Sequence, residues 1–250
     1  MTADRFRIVH RRQILSPGVP PGVQTLIYLN LAMFSLMVLQ GAAHGDGFGV
    51  LMNPSIDLLI RSGSQAWPRV LANGEWWRGL TYAFTHGGLI HLGFNMLVFY
   101  QVAPTTEREL GWQGLVFLYT FTALTATLAG LLFHPMVVVV GASGAIFGLF
   151  GFAISFYHRL GTTLAHLRRN YMLQWALYAL LFGFIVHADN AGHLGGLVGG
   201  ALLGVLLPTQ MERLHRFLPV LRAMGWVSAL LIGAAHLAFL AWWVQITFVH

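Results

Sequence analysis

Apolar residues fall along this chain in seven long runs separated by short polar breaks, at about 23–43, 88–102 (continuing toward Pro104), 112–133, 139–157, 171–187, 191–207 and 224–248. A helix that crosses the hydrocarbon core of a bilayer needs about 20 mostly apolar residues. The pattern therefore predicts an all-α fold, a polytopic transmembrane helix bundle. It divides the chain into an N-terminal segment at 1–22, six runs within 23–207, a linker at 208–223 and a seventh, C-terminal transmembrane run at 224–250. Several runs are shorter than a full crossing, so some of their ends are expected in protein or in water-filled space.

The segment 44–85 breaks the pattern. It is rich in Gly and aromatic residues, too apolar for a simple linker and too polar for a span. It reads as a large structured outer loop lying in the membrane interface, with Trp67, Trp76 and Trp77 as anchors.

Composition agrees. Hydrophobic residues make up 56% of the 250 and charged residues only 9%, with a mean hydropathy of +0.67. Soluble domains carry about 25% charged residues, so this chain lacks the polar surface to face water on all sides. Cysteine is absent, which removes disulfides, thiolate nucleophiles and Cys-based metal sites together. The first 16 residues hold Arg5, Arg7, Arg11 and Arg12 without an apolar run, so no cleavable signal peptide is read and the first apolar run is expected to be a retained span.

All 14 basic residues are arginine, and their positions set an orientation. With the N-terminus in the cytoplasm and seven crossings, eleven arginines fall inside, and only Arg61, Arg69 and Arg78 fall outside. That is the bias the positive-inside rule expects. It puts the N-terminus in the cytoplasm and the C-terminus outside, and a compact chain of this kind fits a bacterial inner membrane. The basic balance is thus a topology signal. The arginines are scattered over short loops, which excludes a nucleic-acid surface.

Polar groups inside membrane spans are costly and are functional candidates by default. Ser143 near the outer start of the fourth run, His193 near the outer start of the sixth, and His91 with Asn95 in the outer half of the second lie at similar depth under this topology. A serine hydroxyl becomes a nucleophile when a base within hydrogen-bond reach takes its proton, and histidine is the natural base near neutral pH. His91 and Asn95 are four apart and share a helix face. They can offer an imidazole N–H and an amide N–H to a developing oxyanion, and the Ser143 backbone N–H adds a third donor at a helix N-terminus. No acid that would orient His193 is evident; Asp189 lies four residues before it and reads as structural or water-binding.

At these residues a resemblance appears. Gly141-Ala142-Ser143-Gly144 resembles the G-x-S-G nucleophile motif of rhomboid proteases, His91-Leu92-Gly93-Phe94-Asn95 their H-x-x-x-N motif, and the stretch from Ala191 to Gly200 their A-x-H-x-x-G-x-x-x-G motif. Trp77-Arg78 is similar to the Trp-Arg pair of their first outer loop, and Glu107 with Gly111 to their E-x-x-x-G element. The motifs stand in the family's order. The resemblance implies a Ser–His dyad with Ser143 as nucleophile and His193 as general base, an oxyanion site at His91 and Asn95, and an aromatic at Phe147 packed on the catalytic histidine. It implies single-span transmembrane proteins as substrates, cut near the outer face within the lipid bilayer, and it implies no cofactor. A six-helix core with one extra C-terminal helix is also similar to members of that family.

Structural roles are expected for the neighbours. Gly196 and Gly200 share a face with His193 that should pack on the fourth run, whereas Gly195 and Gly199, turned by about 100°, should tolerate larger residues better than that face does. Trp77 and Arg78 should fix the outer loop, Glu107 and Arg108 should pin the cytoplasmic end of the second run, and His86 and Tyr82 read as structural. Competing readings are a transporter, a metal site at His86, His91 and His193, and an inactive rhomboid relative that binds membrane clients. The transporter gives no reason for a serine between glycines, a zinc protease would need an absent H-E-x-x-H, and the inactive relatives usually lack the serine or the histidine.

Overall fold

The computed structural model describes residues 18–43, 45, 47–185 and 188–248. Arg5, Arg7, Arg11 and Arg12, the loop's first residue His44, and His187 and His250 lie outside the described residues. The described residues form an all-α membrane helical bundle. Its helices are α1 (Pro21–Ala43), the short loop helices α2 (Gly49–Met52), α3 (Ile56–Arg61), α4 (Trp67–Asn73) and α5 (Arg78–Thr81), then α6 (Leu89–Phe133), α7 (Ser143–Leu160), α8 (Thr163–Ile185), α9 (Asn190–Leu206) and α10 (Met211–Phe248). By length and composition, α1, α6 and the 212–247 part of α10 can each cross a membrane, and α9 is a shorter apolar helix.

Two expected spans are the two limbs of α6. The backbone leaves helical geometry only at Gly111, with φ 78° and ψ 169°. A left-handed φ of this kind is readily accessible to glycine alone. Pro104 sits inside the first limb without ending it. Just before the kink, Glu107 accepts hydrogen bonds from Gly22 N–H at 2.9 Å and Val23 N–H at 2.8 Å. It thus pins the bend, as expected, and it does so by satisfying orphan donors at the start of α1.

The outer loop is ordered, as its composition suggests, and is held by short-range rules. Ser55 caps α3 by accepting from Leu58 N–H at 3.2 Å, and Gly74 ends α4 in the left-handed conformation at φ 70°. Arg78 is fully buried beneath it, bonded to Glu75 and donating through Nη1 to the carbonyls of Ile60 at 2.8 Å and Ser64 at 2.9 Å. Fixing the loop is therefore its role, as the sequence suggests.

At the centre, α7 packs against α9 along facing glycines. A Cβ placed on Gly196 would stand 2.0 Å from the Gly144 carbonyl oxygen, and one on Gly200 1.9 Å from that of Gly148. Small residues let membrane helices approach this closely. Gly195 and Gly199 meet looser contacts than these, but they are not open. A Cβ on Gly195 would lie 2.5 Å from Ala129 Cβ and 2.7 Å from the Thr125 carbonyl oxygen, and one on Gly199 2.3 Å from Thr125 Oγ1. Helix α9 is wedged between α7 and the second limb of α6, so both of its glycine faces are occupied.

Three boundaries differ from the apolar runs. The fourth helix starts at Ser143 rather than 139, because Gly141 has φ 119° and the chain from 139 first pairs with the loop, Gln65 N–H to Val139 O at 2.9 Å. The fifth begins at Thr163, eight residues ahead of the apolar run from 171, since Arg168, Arg169 and Asn170 ride on its polar end. The segment read as a linker at 208–223 is helical from Met211 on and continuous with the C-terminal helix, Pro219 included; a Glu212–Arg216 pair at 2.6 Å supports its polar first turns.

Candidate active site

Ser143 is the first residue of α7, set there by the sharp turn at Gly141. Gly141 N–H is held by the Tyr82 carbonyl at 2.9 Å, and Ala142 N–H points to His86 Nε2 at 3.5 Å. Tyr82 of the outer loop and His86 just after it thus aim the turn that presents the serine. Tyr82 is itself fixed, its hydroxyl donating to the Ala123 carbonyl at 2.7 Å. Sequence reasoning left both residues as structural, and their positions explain what they support.

His193 lies within the first turn of α9. Asp189 caps that helix by accepting from Gly192 N–H at 2.8 Å. The glycine packing carries the imidazole to α7, where His193 Nε2 and Ser143 Oγ are 2.8 Å apart. Phe147, one turn below Ser143, stacks on the imidazole with ring centroids 4.2 Å apart and planes 11° from parallel. His193 is buried, and among the described residues no group hydrogen-bonds its Nδ1. Asp189 instead pairs with Nε2 of His134, the residue ending α6, at 2.7 Å. That pair joins residues 55 apart in sequence, and no sequence signal marks it.

His91 and Asn95 come from the first limb of α6 and line the same cavity as Ser143 and His193. His91 Nδ1 accepts from Gly87 N–H at 3.3 Å, which leaves Nε2 as the protonated nitrogen of the neutral ring. That nitrogen faces Gly141: a Cβ there would sit 2.8 Å from it. The Asn95 amide donates one N–H to the His91 carbonyl at 2.9 Å, and the second N–H of the group remains.

Ser143 borders spaces of contrasting kind. A small one, with about 30 Å³ of free volume, is walled by Phe94, Val98, Ile146, Phe147 and Phe182. A cleft of about 700 Å³ opens on the loop side between Met52, Val137–Val140 and Asp189–Ala191. Ser143 therefore stands between an apolar niche and an open vestibule. No group of three or more potential metal-ligating side chains is found among the described residues.

Comparisons with known proteins identify the family. The Rhomboid domain family model matches residues 73–210. Rhomboid protease GluP of Bacillus subtilis (strain 168) is 32% identical over 190 residues, covering 75% of this chain and 35% of GluP. YdcA of the same organism is 36% identical over 148 residues, 57% of this chain and 73% of YdcA. RHOMBOID-like protein 7 of Arabidopsis thaliana is 31% identical over 164 residues, 63% of this chain and 51% of that protein. The chain thus spans about a third of GluP and half of the Arabidopsis protein.

Proposed function

The chain belongs to the rhomboid family, and from that premise we propose that it is an intramembrane serine endopeptidase working through a Ser143–His193 dyad. The observation that carries the reading is the 2.8 Å separation of Ser143 Oγ and His193 Nε2 inside a membrane helix bundle. A hydroxyl that close to an imidazole acceptor can be deprotonated as it attacks.

In the proposed reaction Ser143 Oγ attacks the scissile carbonyl carbon while His193 Nε2 takes its proton. The tetrahedral intermediate then expels the amine, which receives that proton, and leaves an acyl-enzyme. Water enters from the vestibule, gives a proton to Nε2 and attacks the ester; collapse returns the proton to Ser143 Oγ. The oxyanion is met by the Ser143 backbone N–H, His91 Nε2–H and the second N–H of Asn95. Each donor of this kind is worth about 100- to 1,000-fold in rate. The Phe147 stack holds the imidazole plane in place of an orienting acid.

The substrates are membrane proteins, and we assign single-span helices cut near the outer face. A helix hides its carbonyls in hydrogen bonds, so the scissile segment must unwind to lie in the vestibule. The narrow niche behind Ser143 suits a small side chain at the cut. The N-terminus is assigned to the cytoplasm on the arginine bias. The inactive-relative reading is disfavoured, because nucleophile and base are both present and in contact.

The test is reconstitution of the full chain in liposomes with a generic single-span substrate. Cleavage by the wild type, and its loss by at least about 1,000-fold in Ser143→Ala and in His193→Ala, is expected. Equal cleavage by either variant would remove the mechanism.

A further inference from the structure

Helix α10 lies outside the family-matched segment at 73–210, yet it reaches back into the loop that aims the nucleophile. Near its far end Trp242 packs on Trp77 with ring centroids 5.2 Å apart, and Phe239 lies 5.5 Å from the same ring. The guanidinium of Arg78 lies against both indoles, 4.4 Å from the Trp77 centroid and 5.0 Å from that of Trp242. Its Nε and Nη1 are bonded within the loop, whereas Nη2 has no hydrogen-bond partner among the described residues. A buried cation with one uncommitted edge is stabilised by an aromatic face, most of all by tryptophan. Two turns earlier on α10, His236 meets the Phe84 ring edge-on at 4.8 Å. So α10 grips both ends of 77–84, the stretch whose Tyr82 carbonyl holds Gly141 N–H at 2.9 Å.

We propose that Trp242 is a positioning residue: through Arg78 and Trp77 it fixes the register of the outer loop, and through Tyr82 and Gly141 it fixes the angle at which Ser143 meets His193. The catalytic part of this inference rests on the function proposed above; the mechanical part does not. Trp242 touches no reacting atom. Its loss leaves dyad and cavity chemically complete but lets the 139–142 turn drift, and a misplacement of about 1 Å can lower a rate on the order of 100-fold. Loop and turn are coupled by the reciprocal Gln65–Val139 backbone pair at 2.9 and 3.1 Å, by the Gly141 N–H to Tyr82 carbonyl bond and by the weak Ala142–His86 contact, so loosening one loosens the other.

The experiment uses the full chain in lipid nanodiscs, with Trp242→Ala, Trp242→Phe and, as a control on the same helix, Leu237→Ala, whose side chain is exposed. Amide hydrogen exchange at 76–86 and 139–144 is read beside kcat and KM on a single-span substrate. Trp242→Ala is expected to speed exchange in both segments, leave the core of α6 unchanged, and lower kcat about 10- to 100-fold with KM within about twofold. Trp242→Phe keeps an aromatic face and is expected to recover most of both readouts, and Leu237→Ala to match the wild type. If Trp242→Ala does not fold, Trp242→Leu, which keeps bulk and loses the π face, takes its place. Unchanged exchange at 139–144 in the folded variant, or an equal effect of Leu237→Ala, overturns the proposal. Exchange that rises as expected in a chain whose wild type cleaves nothing leaves the positioning role standing and removes the catalytic reading instead.

Discussion

Gly196 and Gly144 leave no space for a side chain between them: a Cβ on Gly196 would stand 2.0 Å from the Gly144 carbonyl oxygen. The contact is backbone to backbone, and nothing flexible can yield. Gly196→Ala is therefore expected to push α9 off α7 and separate His193 from Ser143. Gly195→Ala is expected to be damaging as well, against Ala129 and Thr125. Gly233→Ala in α10, where nothing lies within 4 Å, is expected to be neutral. Thermal melts and cleavage rates of the three variants check this; a harmless Gly196→Ala would mean that α9 and α7 do not pack as described.

The turn before the nucleophile makes a sharper demand. Gly141 has φ 119°, and a Cβ on it would lie 2.8 Å from His91 Nε2. Gly141→Ala is expected to lower the cleavage rate at least about 10-fold while the melting temperature changes little, since strain and clash fall at the site alone. A full-rate Gly141→Ala would show that this turn does not set the position of Ser143.

Phe147 and His193 stack at 4.2 Å. Such ring pairs contribute about 0.5–1.5 kcal/mol beyond their buried area, about two- to tenfold in rate if the stack is made only in the productive geometry. Phe147→Leu is expected to lower kcat by that factor with KM unchanged, and Phe147→Tyr to leave it near the wild-type value. The comparison of kcat with KM decides it.

Glu107 is a stability residue. Its two carboxylate oxygens take the Gly22 and Val23 N–H groups. Removing a helix cap costs about 0.5–2 kcal/mol, so Glu107→Ala is expected to lower the melting temperature by about 1–8 °C. Glu107→Gln keeps one acceptor oxygen and should lose less. Calorimetry in detergent reads both.

The readable part of this molecule was what membranes make expensive. Ser143, His193, His91 and Asn95 stood out because polar groups in apolar runs demand a reason, and their common depth followed from counting crossings. What escaped depends on neighbours, which a helical wheel does not name. The helical period sets Gly195 and Gly199 on a second face, but it does not say that α6 occupies that face as α7 occupies the first. The His134–Asp189 pair and the grip of Trp242 on Arg78 join residues 55 and 164 apart, between elements whose adjacency no local pattern encodes. The first turns of α10 read as a linker because their residues are polar, whereas the Glu212–Arg216 spacing is that of a solvated helix face.

Activation of Ser143 by His193 is the central step of the proposed mechanism, and it can be read without knowing a substrate. The full chain in detergent is treated with a fluorophosphonate, which forms a stable bond to an activated serine oxygen, and the modified peptide is identified by mass spectrometry. The account predicts a single adduct on Ser143, near-stoichiometric in the wild type and lost in His193→Ala, whose fold is checked by its melting temperature. An adduct that persists in His193→Ala, or a folded wild type that takes up the probe on other serines but never on Ser143, would contradict it.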